Sequence, residues 1–238
     1  MPEIPSLMEM LKAGVHFGHQ KARWHPKMKP YLYTHRQGVH IIDLEKTTAK
    51  LQKTLEFVKK VAAGGGLILF SSLKVQSHEI VKNAAQSVNM PYMTGRWLGG
   101  VFTNFSIIYK LIKKLDTMEA DKKAGGWEKF TKKERLELEK ERQNLQDLVG
   151  GIRNLNRLPQ AVYLVGLREG KNALAEAKKV KVPVIAIADS NTNPSKVEYP
   201  IPANDDAIKS LQLITNLIVE AIKEGQSDAL KANATAEV

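Results

Sequence analysis

The chain contains no cysteine. That excludes a disulfide framework, a thiolate zinc site, an iron–sulfur cluster and a cysteine nucleophile. It fits a reducing compartment, and a cytoplasmic location is expected. Long apolar runs are missing too. The longest covers residues 182–188, far short of the about 20 residues that cross a bilayer. The opening Met1-Pro2-Glu3-Ile4-Pro5 lacks a basic and then apolar leader pattern, so no secretory signal and no membrane partner are expected.

Familiar catalytic and cofactor loops are absent as well. There is no Gly-x-Gly-x-x-Gly, and Gly64-Gly65-Gly66 lies between a helical pattern and a strand. A dinucleotide fingerprint lies instead between a strand and the following helix. Gly170-Lys171 is followed by Asn172 and has no glycine five residues earlier, so it is not a Walker loop. No Gly-x-Ser-x-Gly elbow occurs. His78-Glu79 lacks the second histidine of a metalloprotease helix. No catalytic residue is assigned and no enzyme is expected. The alternative is a nucleotide- or metal-dependent α/β enzyme with its site at the carboxyl ends of its strands.

What the chain holds in excess is positive charge. Its 36 Lys and Arg against 25 Asp and Glu give a net charge of +11 over 238 residues. The excess is confined to the first two-thirds. Residues 1–60 carry 11 basic and 5 acidic groups, whereas residues 158–238 carry 9 and 10. Basic excess attracts polyanions, chiefly nucleic acid or an anionic membrane surface. The plainer alternative is a basic surface that serves solubility alone.

Hydrophobic patterning gives an α/β alternation. Asp43 is a suitable N-cap for a helix to about Ala63, with Leu44, Leu51, Leu55 and Val58 in helical period. Leu67-Ile68-Leu69-Phe70 reads as a strand buried on both faces. A helix over 75–88, a strand over 90–94 and a strand over Ala161–Val165 follow. Residues 172–180 read as a helix, and 182–188 as the strongest strand. A last helix is capped by Asn204 or Asp205 and stops at Gly225. Residues 226–238 are small and polar and are predicted to form a flexible tail. This alternation predicts a doubly wound, mainly parallel sheet with helices on both faces.

Residues 104–158 interrupt the alternation. Ile107, Ile108, Leu111, Leu115 and Met118 keep a helical period, and Gly125-Gly126 breaks it. Thr131 and Glu134 form a capping box. Leu138, Leu145 and Ile152 then recur every seven residues, as in a coiled coil. The prediction is a protruding antiparallel helical hairpin; two helices packed on the sheet are the alternative. The organisation is therefore residues 1–103, an α/β part with a basic, RNA-facing start; 104–158, the arm; 159–225, the second α/β part; and 226–238, the tail.

Two segments suit nucleic acid. The first interleaves His19, Lys21, Arg23, Trp24, His25, Lys27, Lys29, Tyr31, Tyr33 and Arg36. Cations bind phosphates, and aromatic and guanidinium planes stack on exposed bases. The second is Arg96-Trp97-Leu98-Gly99-Gly100, followed by Thr103 and Asn104. Its glycines admit close backbone approach, and a helix opening there favours phosphate. Five of six histidines fall within residues 16–40. His16 with Asp189 or Asp205 from the far end is a candidate divalent-ion set; no other cofactor is expected. The alternative for the aspartates is capping and turn chemistry. In the arm, Lys122, Lys123, Trp127 and Phe130 lie near the tip and are candidates for a protein contact.

Taken in order, these stretches resemble the universal small-subunit ribosomal protein two family in its bacterial form. The residues that carry the resemblance are Ala13-Gly14-Val15-His16-Phe17-Gly18-His19, Trp24-His25-Pro26-Lys27-Met28, Gly38-Val39-His40-Ile41-Ile42-Asp43-Leu44, Arg96-Trp97-Leu98-Gly99-Gly100, Thr103-Asn104-Phe105, Asp189-Ser190-Asn191-Thr192-Asn193-Pro194 and Tyr199-Pro200-Ile201-Pro202-Ala203-Asn204-Asp205-Asp206. Ser190 departs from the threonine expected there. The resemblance implies a flavodoxin-like sheet with a protruding hairpin and no catalytic activity. It implies binding to small-subunit ribosomal RNA between head and body, and help in docking ribosomal protein one. Neighbouring small-subunit proteins are further expected partners, with no homo-oligomer in the ribosome.

Overall fold

The computed structural model describes residues 2–236, and their side chains as far as Lys231. In chain order the elements are α1 (Leu7–Lys12), β1 (Phe17–Gln20), β2 (Leu32–Arg36), β3 (Val39–Ile42), α2 (Leu44–Ala63), β4 (Ile68–Ser72), α3 (His78–Ser87), β5 (Tyr92–Thr94), α4 (Phe105–Lys123), α5 (Lys132–Val149), β6 (Ala161–Val165), α6 (Lys171–Lys179), β7 (Val184–Ala188), β8 (Tyr199–Pro202) and α7 (Ile208–Ala236).

Five strands form one parallel sheet in the order β5-β4-β6-β7-β8. This is the flavodoxin-like doubly wound order. Because side chains alternate across a strand, the sheet feeds two cores. Phe70, Tyr163, Ile185, Ile187 and Ile201 face one side, where α2, α3 and α7 cover them. Leu69, Val162, Leu164, Val184 and Ala186 face the other, with α4, α6 and Met28. Each fully buried large apolar side chain contributes about 1.5–3 kcal/mol. Tyr163 is the largest of them. Burial raises its phenol pKa, and its hydroxyl pairs with the Thr215 hydroxyl at 3.0 Å.

Strand β8 has no counterpart in the sequence pattern, because Pro200 and Pro202 interrupt it. Among the described residues it is an edge strand bonded to β7 alone, and an edge is where a sheet tolerates missing N–H groups. A second, antiparallel sheet, β1-β3-β2, also emerges from the basic segment. Gln37 (φ 50°) and Gly38 (φ 78°) turn β2 into β3. Two left-handed residues in succession suit the twist of a two-residue hairpin.

The predicted tail is corrected. Helix α7 runs through Gly225 as far as Ala236; residues 237–238 of the expected tail lie outside the described part. Gly225 is a contact residue rather than a stop. A Cβ there would lie 2.5 Å from the Lys59 carbonyl oxygen on α2. Lys59 pairs with Glu224 at 3.2 Å and Asp228 at 3.0 Å, and Gln226 donates to the Val88 carbonyl at 3.2 Å. These bonds fix the turns past Gly225.

Helices α4 and α5 run antiparallel, joined across Ala124 to Thr131. Lys122 pairs with Glu139 at 2.8 Å and Arg142 with Glu119 at 3.5 Å. Arg153 then holds Asp116 at 2.7 Å. The inner halves, including Ile108, Ile112, Leu145 and Val149, join the second core. The Thr131–Glu134 capping box forms as the sequence predicts.

Candidate RNA interface

The basic start of the chain is placed by its few apolar residues. Met28 is fully buried and anchors the turn that carries Lys27 and Lys29. The His25 N–H donates to the Ser190 carbonyl at 2.8 Å, and the His19 N–H to the Ser190 hydroxyl at 2.7 Å. Gly18 is required at this seam, since a Cβ would lie 2.7 Å from Ser190 Oγ. The position that departs from the family pattern is thus a docking point, and the hydroxyl it needs is kept. Around this seam Lys21, Arg23, Lys27, Lys29 and Arg36 are exposed, and none has an ion pair among the described residues. Tyr33 is 77% exposed. Trp24 is half-buried, its ring 5.3 Å from that of His40.

The second predicted segment behaves differently. Arg96, Gly99 and Asn104 are exposed, but Trp97 is buried among Phe102 and its neighbours. The Trp97 indole N–H donates to the Glu176 carboxylate at 3.0 Å. The N–H groups of Gly100, Phe102 and Thr103 donate to the same carboxylate at 2.8, 3.1 and 3.3 Å, and the Thr103 hydroxyl at 3.2 Å. Burial works against ionised Glu176, but these donors hold its pKa below the usual carboxylate value. Trp97 is thus turned inward, a correction to its assignment as an RNA-facing ring, while Gly100 stays half-buried and Thr103 exposed. Their donors already cradle an anion, and that anion is the chain's own. Glu176 lies on α6, more than seventy residues away in sequence, so no local pattern could reveal it.

A further group closes the carboxyl end of the sheet. His19 lies 3.1 Å from Asp189 and 3.3 Å from Asp206. Lys74 reaches Asp205 at 2.6 Å and Asp206 at 2.8 Å. Hydrogen bonding to Asp189 raises the His19 pKa, against a smaller desolvation effect. Burial, and then the Asp189 charge, push Asp205 up to about 7. One donor atom from each of His19, Asp189, Asp205 and Asp206 falls within 4.8 Å of the others. Oxygen-rich sets suit hard cations, and Lys74 and His19 already pair with the carboxylates of this one. His16, predicted as a ligand, is not in the group. Its ring packs 4.0 Å from Phe17, and burial lowers its pKa. His19 takes the place assigned to it.

At the arm's tip, Lys122 pairs with Glu139, its ammonium 5.6 Å from the Trp127 ring centroid. Trp127 packs back on the second core. Lys122 nevertheless remains exposed and Trp127 half-buried. Lys123 is exposed and Phe130 is half-buried. The sequence reading missed three cations near Arg23: Arg168, Lys171 and Lys196, which share a cavity with it.

The fold defines an α/β protein that presents a basic surface and meets the acids at one end of its sheet with cations of its own. The model of the family Ribosomal protein S2 matches residues 10–225. The chain is 48% identical over 223 residues to small ribosomal subunit protein uS2 of Bdellovibrio bacteriovorus, covering 94% of this chain and 71% of that one. It is 46% identical to the uS2 protein of Mycobacterium leprae, covering 93% and 80%, and 44% identical to that of Thermobifida fusca, covering 94% and 77%. The chain belongs to the ribosomal protein S2 family, and as such is a structural, non-enzymatic protein of the small ribosomal subunit.

Proposed function

We propose that the protein binds small-subunit ribosomal RNA between head and body, through the surface built on β1–β3, and helps to dock ribosomal protein one. The observation that carries the RNA contact is the set of five exposed, unpaired cations at Lys21, Arg23, Lys27, Lys29 and Arg36. Trp24 and Tyr33 beside them offer faces for unstacked bases. Arg96 extends the same chemistry. The outer turn of α4 and α5, with Lys123 and Phe130, is the surface offered to ribosomal protein one or a neighbouring small-subunit protein. The role belongs to the cytoplasm.

The test is a salt titration of binding to a ribosomal RNA fragment. Neutralising about five phosphates gives a slope of log affinity on log salt near −4. Lys27→Gln combined with Lys29→Gln should flatten it by about 1.5–2. A slope near zero in the parent would sink the proposal. For the arm, subunits carrying a short Gly/Ser turn in place of residues 122–130 should retain RNA binding and lose a bound protein. Unchanged protein content would remove the arm's role.

A further inference from the structure

A cavity of about 680 Å³ opens outside the carboxyl ends of β6 and β7. Its walls are the loop after β6, the loop after β7 and the basic segment at the start of the chain. Arg23, Arg168, Lys171 and Lys196 line it, and among the described residues no acidic one does. All four cations are exposed, and none has an ion pair among the described residues. Four like charges around one concavity focus a positive potential. Elsewhere the protein supplies its own counter-charge: Glu176 fills the cradle at Gly100, and Lys74 meets Asp205 and Asp206. Here it supplies none.

Two further features specify the ligand. Leu167 and Leu174, 5% and 7% exposed, give the cavity an apolar wall. Asn191 also lines it, and its buried Oδ1 has no hydrogen-bond partner among the described residues. That oxygen is an acceptor awaiting a donor. Cations for a phosphoryl group, an apolar wall for a flat ring and an acceptor for an amine or hydroxyl together describe a nucleotide. The volume is that of an ordinary small-molecule site. Open α/β sheets also take their ligands outside the carboxyl ends of their strands.

We propose that this cavity binds the phosphoryl group of a nucleotide. The nucleotide is either free or a single residue of RNA turned into the cavity; in the second case the proposal rests on the RNA-binding reading above. The phosphoryl oxygens meet Arg168, Lys171 and Lys196, with Arg23 closing from the opposite wall.

Calorimetric titration of the full chain tests this at about 100 mM salt. The probes are adenosine 5′-diphosphate, adenosine and a five-nucleotide single-stranded RNA. The proteins are the parent, Arg168→Gln with Lys171→Gln, and a charge-matched control, Lys132→Gln with Lys133→Gln on α5. The cavity variant should bind adenosine 5′-diphosphate or the RNA at least ten-fold more weakly than the control. A loss with adenosine 5′-diphosphate identifies a free nucleotide; a loss with RNA alone identifies an RNA residue. Adenosine should bind neither protein measurably. Equal affinities for both charged probes in cavity variant and control would overturn the proposal. If the cavity variant melts far below the control, amide shifts in the parent decide instead. Shifts confined to residues 167–174 and 190–196 support the site, and shifts elsewhere overturn it. Weakened ribosomal RNA binding in the Lys27→Gln, Lys29→Gln variant, with none in the cavity variant and no binding of adenosine 5′-diphosphate, leaves the RNA reading standing and removes this one.

Discussion

His19 Nδ1 lies 3.1 Å from the Asp189 carboxylate and ties the small antiparallel sheet to the end of β7. Asp189 also raises the affinity of His19 for its proton. The folded state therefore holds that proton to higher pH than the unfolded chain does.

Stability should accordingly fall as pH rises from 5 to 8. The His19 contribution is complete below about 6.5 and is lost as pH passes its raised folded value. Asp205 acts in the same direction. Its carboxyl ionises near 3.8 when unfolded and near 7 when folded, so folding loses ground between those values. Carboxylates held low, such as Glu139 at about 2, act only in acid, and His16 and His40, whose pKa burial lowers, oppose the trend only below about 6.5. A melting temperature lower by at least about 2–4 °C at pH 8 than at pH 5 corresponds to about 1 kcal/mol. His19→Gln should flatten the upper part of the profile and Asp205→Asn the lower part. A flat parent profile would contradict this account.

Gly225→Ala separates a helix stop from a packing contact. In an ordinary exposed helix the change gains about 1 kcal/mol. Here the new methyl meets the Lys59 carbonyl at 2.5 Å, and overpacking of that kind costs about 1–3 kcal/mol. Urea denaturation should give a lower midpoint for the variant. A higher midpoint would show that α2 and α7 do not approach so closely.

Glu176→Gln keeps the size of the side chain and removes its charge. It also turns an N–H₂ group toward donors that need an acceptor. Hydrogen bonds to a charged group are worth about 1.5–3 kcal/mol, so a loss of about 2 kcal/mol is expected. Amide exchange should quicken at Gly100, Phe102 and Thr103 first. Unchanged exchange at those amides would mean that Glu176 does not hold the loop.

The central sheet is legible because β4, β6 and β7 are buried on both faces and read as continuous apolar runs. Strand β8 is hidden by the prolines that its edge position permits. Strands β1 and β2 are hidden because they are short and largely exposed, so polar and basic residues mask any alternation, and β3 is only four residues long. The distribution of charge misleads for a related reason. The near-neutral balance of residues 158–238 counts Glu176, Asp189, Asp205 and Asp206, yet these acids meet internal partners. Arg168, Lys171 and Lys196 are left facing outward without them. Summed charge cannot separate acids spent inside the molecule from acids shown to solvent.

The seam at Ser190 also orders events in time. His19 and its hydrogen-bond partner are 171 positions apart, and Asn204 bonds the Val15 carbonyl across a similar span. A growing chain emerges from its N-terminus. The basic segment is therefore made first but has nothing to dock against until β7 and β8 have been synthesised. Contacts so distant in sequence close late and slowly. The basic surface thus becomes shaped only when the molecule is nearly complete, and an unfinished chain carries its charge without that geometry.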